Sequence, residues 1–380
     1  MNGSIAEHFR ELDDPRREQG KRHRLTAIVA IAILGVICGA DEWTEIEDVA
    51  RAKRGWLERF LDLPHGIPSH DTLSRLFARL DPRQFERCLT GWMTHLAGLA
   101  ESDLIAVDGK TLRRSDDPAD GKAALQMVSA WCRANRLVLG QLATDEKSNE
   151  ITAIPQLLRL LDLEGTVVTI DAMGTQKEIA RQILDQGGDY LLPVKENQPT
   201  LCRDVTLFFD DAIRRGFPHT PHAQARVLGK GHGRVEVREL WSTSEIDRLS
   251  SRHDWPGLRS IACVEARRDV RDGTDAERTS TERRYYISSL KGDDAARLLD
   301  LSRGHWGVEN ALHWSLDVCF REDDSRTRKG HAPENLAVLR RVVLGLLKNE
   351  TTFQAGLKRK RRRCAMDHDY LYQVLTTAKS

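Results

Sequence analysis

Two aspartates stand where a strand would deliver them to a sheet edge. Asp108 closes the apolar run Leu104-Ile105-Ala106-Val107 and precedes Gly109-Lys110. Asp171 closes Val167-Val168-Thr169-Ile170 and precedes Ala172-Met173-Gly174. Short apolar runs ending in turn residues predict buried strands. On neighbouring strands the two carboxylates would converge, and like charges so close are costly unless a cation lies between them. Hard oxygen donors without neighbouring His or Cys favour Mg²⁺ or Mn²⁺. The plainer alternative is that each Asp caps a helix or forms a turn. A third carboxylate is expected from a helix, and Glu309 in His305-Trp306-Gly307-Val308-Glu309-Asn310-Ala311-Leu312-His313-Trp314 is the first choice. At α-helical spacing Trp306, Glu309, Asn310 and His313 share a face. Asp317, two turns on, is the rival ligand.

Other chemistries find no support in the 380 residues. The 7 cysteines are scattered singly, with no C-x-x-C, which suits a reducing cytoplasm better than a disulfide framework or a cysteine zinc site. There is no H-E-x-x-H, Walker A loop, G-x-G-x-x-G or G-x-S-x-G. A paired-carboxylate glycosidase would need an aromatic cleft, and aromatics are only 6% of the chain.

The net charge of +1 gives no global pull toward nucleic acid, so any such argument must be local. From Arg321 to Arg363 there are 13 Lys/Arg against 5 Asp/Glu. A second basic stretch holds Arg226, Lys230, His232, Arg234 and Arg238, and Lys195, Asn197 and Gln198 follow a predicted strand. Such groups supply phosphate affinity, not sequence choice. Trp241 fits a core position better than a base-stacking platform.

The elements that must position these residues change character along the chain. Residues 1–97 read as helical. Leu25 to Ala40 is uncharged for 16 residues, too short to span a bilayer, and predicts a buried helix and no membrane association. Ser69 caps a helix with Leu73, Leu76, Phe77 and Leu80 on one face and Arg75 and Arg79 on the other, which would suit a DNA groove or a solvated face. From residue 104 the order is β-β-β-α-β-α-β, a mixed sheet rather than a doubly wound one. Residues 225–290 read as β-rich, with a hairpin turn at Arg271–Thr274. Helical periodicity returns at Asp293–Phe320 and Asn335–Leu347.

Seven motifs in order then become specific: V-D-G-K (107–110), E-K-S-N-E-I (146–151), T-I-D-A-M-G-T-Q (169–176), V-K-E-N-Q (194–198), G-H-G-R-V-E (231–236), H-W-G-V-E-N (305–310) and R-K-G-H-A-P-E-N-L-A (328–337). Over essentially its whole length the chain resembles the DDE transposases of bacterial insertion sequences, in particular the H-repeat-associated group. The resemblance implies a ribonuclease-H-like α/β mixed sheet with a β-rich insertion, preceded by a helical N-terminal domain. The expected division is 1–97 for binding DNA ends, 98–200 with 291–350 for catalysis, 201–290 for the insertion and 351–380 for a basic tail.

Carried over residue by residue, the catalytic and metal-binding triad would be Asp108, Asp171 and Glu309, with two Mg²⁺ (or Mn²⁺) ions per site. The expected activity is two-metal phosphoryl transfer: water nicks the transposon end, and the freed 3′-hydroxyl attacks target DNA. The expected DNA-binding set is Lys110, Lys195, Asn197, Gln198, His232, Arg234, His305, Trp306, Arg326, Arg328 and Lys329. The wider superfamily often has an Arg four residues before the Glu and a Lys seven after it. This chain has His305 and Leu316 there, with Lys329 as a substitute charge. The expected partners are double-stranded DNA, both terminal inverted repeats and target, and a second copy of the chain in the DNA complex. The expected location is the bacterial cytoplasm, at the nucleoid. The alternative is a domesticated, non-mobile DNA-binding protein that keeps the fold.

Overall fold

The computed structural model describes residues 7–97, 103–116, 121, 123–144, 150–231, 234–250, 254–271 and 277–376. Helices α1 (Leu25–Ile37), α2 (Trp43–Ala52), α3 (His70–Phe77) and α4 (Pro82–Ala97) lead into β1 (Leu104–Thr111), β2 (Gln126–Cys132) and β3 (Leu137–Ala143). Then come α5 (Glu150–Leu158), β4 (Val167–Ile170), α6 (Lys177–Asp185), β5 (Asp189–Val194) and α7 (Pro199–Arg215). Four long strands follow: β6 (Ala223–Gly231), β7 (Arg234–Thr243), β8 (Ser260–Arg271) and β9 (Glu277–Ser288). The chain continues through α8 (Ala295–Gly307), a π-helix (Val308–His313), α9 (Trp314–Phe320), α10 (Ala332–Asn349), α11 (Leu357–Met366) and α12 (His368–Thr376).

Strand order is β3-β2-β1-β4-β5-β9-β8-β7-β6. This is the mixed α/β plan, with an antiparallel insertion and a helical N-terminal region, that the sequence leads one to expect. The chain divides into two compact units within β1. One holds residues 1–102, 109–153 and 308–380, the other 103–108 and 154–307.

In the first unit α1 is buried from Ala27 through Ile37, on every face. A helix apolar all round belongs in a core, and among the described residues no helix is long and apolar enough to cross a membrane. Ser69 caps α3 by accepting from the Thr72 amide, and Leu73, Leu76 and Phe77 turn inward. The amide of the buried Asn335 on α10 donates to the Phe77 and Leu80 carbonyls at 2.8 and 2.9 Å, which satisfies the end of α3.

The basic run 358–363 needs a correction. It forms α11, and its middle points inward. The Arg361 guanidinium donates to the Val36, Ala40 and Cys319 carbonyls and to Asp41, and lies 4.4 Å over the Phe320 ring. Lys360 pairs with the buried Glu350 and donates to the Leu347 carbonyl. Arg340 and Arg341 are buried as well. Part of the local positive charge is thus spent inside the fold, where unpaired carbonyls and carboxylates would otherwise be costly.

In the second unit β1, β4 and β5 run parallel, β5 pairs antiparallel with β9, and β9 to β6 form an antiparallel meander. Leu298, Leu299 and Leu301 of α8 pack with Leu104, Val167, Leu191, Leu240, Val264 and Tyr286 into one core. Trp241 is buried, in keeping with a core position. Within the expected turn at 271–274, residues 272–274 lie outside the described residues. Helix α7 is an addition that periodicity did not suggest. Pro199 opens it and the left-handed Gly216 closes it.

Candidate active site

The register of β1 against β4 decides where the two aspartates stand. Ala106 is opposite Thr169 and Val107 opposite Ile170 on parallel strands. Asp108 and Asp171 are the next residues along: Asp108 lies within β1, which continues to Thr111, and Asp171 is the first residue beyond β4. Both are half-buried. Asp171 is held by the loop that follows it: its Oδ1 accepts from the Gly174 amide at 3.0 Å. The Asn197 side chain donates to the Ala172 carbonyl at 2.6 Å, the Gln198 side chain to the Thr175 carbonyl at 3.0 Å, and Thr175 Oγ1 to the Pro193 carbonyl at 2.7 Å. Asn197 and Gln198 therefore brace the loop of Asp171. Lys195 is exposed beside them. A cleft of about 530 Å³ opens here, lined by Asp171, Met173, Lys195, Asn197, Arg284 and Tyr285 among others.

His305, near the end of α8, sets its Nδ1 3.2 Å from Thr169 Oγ1, two residues before Asp171. Burial pushes its pKa down to about 4; the Asp171 charge opposes that shift and Arg284 adds to it. The imidazole is thus neutral at physiological pH. Trp306 carries the Arg284 guanidinium 4.0 Å above its ring.

The expected shared face of Trp306, Glu309, Asn310 and His313 is corrected by the backbone. Helix α8 ends at Gly307, and residues 308–313 form a π-helix. Its i→i+5 bonding widens the turn, so the 3.6-residue period no longer holds. Short π segments are frequent at functional sites. Glu309 is exposed on this segment. Within the same unit Lys348 Nζ donates to the Ala311 carbonyl and lies 5.1 Å from the centre of the Trp131 ring.

Lys110 and Asp317, a phosphate-binding candidate and the rival ligand, turn out to be partners. Lys110 Nζ lies 2.5 Å from Asp317, 3.0 Å from Asp323 and 3.5 Å from Glu322. Burial alone would lower the ammonium pKa, but Glu322 and the hydrogen bonds to Asp317 and Asp323 raise it. The charge of Lys110 is therefore matched within its own unit. Arg326, Arg328 and Lys329 line a groove of about 890 Å³ together with Thr44, His70 and Ser74 at the start of α2 and α3. Gly330 makes this possible: its φ is +53°, and a Cβ there would come 2.3 Å from the Ala78 carbonyl oxygen.

His232 lies outside the described residues, as do the side chains of Arg234 and Asn310. Sequence reasoning missed Arg284, which no motif marks, and the contribution of His70 and Ser74 to the groove of Arg326, Arg328 and Lys329, which Glu42 and Asp71 also line.

Among the described residues no three His, Cys, Asp or Glu side chains stand together as a metal-binding group. Asp108 and Asp171 supply a pair of hard oxygen donors, chemistry that fits Mg²⁺ or Mn²⁺ better than a soft metal.

Comparison with known proteins agrees with this plan. Residues 100–346 match the transposase DDE domain family, and residues 6–93 match the DDE_Tnp_1-associated family. The chain is 39% identical over 377 residues to the H repeat-associated protein YhhI of Escherichia coli K12, covering 98% of this chain and 97% of that one. It is 38% identical over 375 residues to YncI of Escherichia coli O157:H7, covering 98% and 95%. Among solved structures, a piggyBac transposase synaptic complex with hairpin DNA aligns with a TM-score of 0.43 and 10% identity, covering 98% of this chain and 76% of that one. That last likeness is too distant to carry an argument. The two family models and the full-length relatives do carry one: the chain belongs to the DDE transposases, in the H-repeat-associated group.

Proposed function

We propose that this transposase cuts DNA at transposon ends and joins the freed 3′-hydroxyl to target DNA, with Asp108, Asp171 and Glu309 as the catalytic carboxylates. The observation that supports the reading is the parallel β1–β4 register, in which Asp108 and Asp171 each directly follow a paired residue, Val107 and Ile170. His305 touches Thr169 of β4, the strand that leads to Asp171.

Asp108, Asp171 and Glu309 would hold two Mg²⁺ or Mn²⁺ ions, which supply Lewis-acid stabilisation of the attacking and leaving oxygens when bound. The protein's own share is positioning. The Gly174 amide and the Asn197 and Gln198 side chains fix the loop of Asp171. Lys195 stands at the cleft wall as a counter-charge to phosphate. His305 of α8 contacts Thr169 of β4, and Trp306 supports Arg284 of the cleft wall. No covalent protein–DNA intermediate is required, because water and then the DNA 3′-hydroxyl are the nucleophiles.

The groove of Arg326, Arg328 and Lys329 would hold duplex phosphates beside α3, and residues 6–93 would contribute to gripping the terminal repeat. Two copies would act together, because two ends must be held at once. A DNA substrate places the protein in the cytoplasm at the nucleoid.

The test is incubation of the purified protein and Mg²⁺ with a duplex bearing the terminal inverted repeats of its own element. The reading expects nicks at the repeat end, new 3′-hydroxyls and joined products, all abolished by chelation. Tight binding without any nick would instead identify a protein that keeps the fold without the chemistry.

A further inference from the structure

We infer that Arg284 of β9 is a phosphate-gripping residue of the same cleft, and that Trp306 is the platform that aims it. The inference rests on the catalytic reading above and adds a residue from the insertion strands to the site.

Arg284 lines the cleft that Asp171, Lys195 and Asn197 also line. Its side chain is partly buried, at 27% exposure. One flat face lies on Trp306, 4.0 Å from the ring centre. Its Nε donates to Glu282 Oε1 at 2.8 Å. The stack fixes the plane of the guanidinium and the Glu282 bond fixes its rotation. A guanidinium has five N–H donors in a rigid fork, more than the Glu282 bond takes up.

Neighbouring Arg283 shows the contrast. Its Nε donates to Glu265 at 2.7 Å and its Nη1 to Asp210 at 2.8 Å, so two carboxylates occupy it. Both arginines line the cleft of Asp171, but among the described residues Arg284 has one carboxylate partner where Arg283 has two, and an aromatic support besides. A planar cation so placed suits bidentate contact with a phosphodiester. It also supplies, from β9, the fixed positive charge that a neutral His305 does not.

The experiment uses the full-length protein, a terminal-repeat duplex and Mg²⁺, and measures single-turnover nicking rate, duplex affinity and the salt slope of that affinity. For R284A we expect nicking slowed about 100-fold, affinity lowered only a few-fold, and the salt slope reduced by about one. R284K keeps the charge without the fork and should lose about tenfold in rate. W306F should keep most of the rate, and W306A should resemble R284K. A purely structural role would leave the salt slope unchanged. If R284A does not fold, R284K decides alone: native melting with about tenfold slower nicking supports the inference, and a wild-type rate overturns it. Wild-type rate and slope in R284A would overturn it as well. Failure of the wild-type protein to nick under any divalent cation would instead remove the catalytic reading on which the inference stands.

Discussion

Replacing Gly174 with Ala tests how tightly the loop of Asp171 is built. An added Cβ would sit 2.2 Å from Ile170 Cγ2 and 3.0 Å from Ile154 Cδ1. Carbon atoms prefer 3.5–4.0 Å, so the shortfall at Ile170 is about 1.3 Å or more. Neither isoleucine has room to retreat: Ile170 is 1% exposed and Ile154 2%. Overpacking of this kind costs about 1–3 kcal/mol. The strain also reaches the carboxylate, because the Gly174 amide donates to Asp171 Oδ1, and a misplacement of about 1 Å near the chemistry can cost about 100-fold in rate. Urea unfolding should show the loss of stability, and single-turnover nicking of a terminal-repeat duplex the loss of rate, with duplex affinity retained. In the background of Ile170→Ala, which removes the clashing methyl, the added penalty of Gly174→Ala should shrink by at least about 0.5 kcal/mol. Native stability and rate in Gly174→Ala, or strictly additive penalties in the double variant, would refute this account of the loop.

Further outcomes follow from the first unit. Gly330→Ala sets a Cβ against the Ala78 carbonyl at a left-handed position, so it should destabilise the protein by about 1–3 kcal/mol and weaken duplex binding through the Arg328–Lys329 loop, as read by melting and by titration with labelled DNA. Arg361→Met should cost about 3 kcal/mol or more, since three carbonyls and Asp41 lose their donor, yet leave the salt slope of DNA binding unchanged in variants that remain folded. The hydrogen bonds from Thr352 and Tyr370 and the partner Lys360 outweigh burial and hold Glu350 down to about 2. A depressed carboxyl contributes stability above its unfolded value near 4.5, and that stability is lost as pH falls toward 2. Glu350→Gln should therefore be less stable at pH 7 and show a flatter acid limb in a pH series of unfolding curves.

Much of this was legible in the residues because it rests on short-range pattern. The apolar runs ending at Asp108 and Asp171 became β1 and β4, and Ser69 became the cap of α3. Asp108 reads as ending its strand, but β1 runs through it to Thr111, while β4 does stop at Ile170, just before Asp171. What escaped is what depends on partners far away in the chain. The tail cations Lys360 and Arg361 read as solvent charge, and only folding brings them to the carbonyls of Val36, Ala40 and Leu347. Lys110 and Asp317 were assigned separate tasks because 207 positions separate them. The π-helix at Val308–His313 has no composition of its own, so an α period was carried through it. Arg284 escaped because nothing in E-R-R-Y-Y shows which of two adjacent arginines meets carboxylates and which meets an indole.

The most direct measurement is single-turnover nicking by Asp108→Asn, Asp171→Asn and Glu309→Gln, each shown to bind the terminal-repeat duplex normally. The account predicts a loss of about 1000-fold or more in every one of the three, with Mg²⁺ or Mn²⁺ required by the parent protein. A variant among them that still nicks at the parental rate, or a parent protein indifferent to chelator, would contradict it.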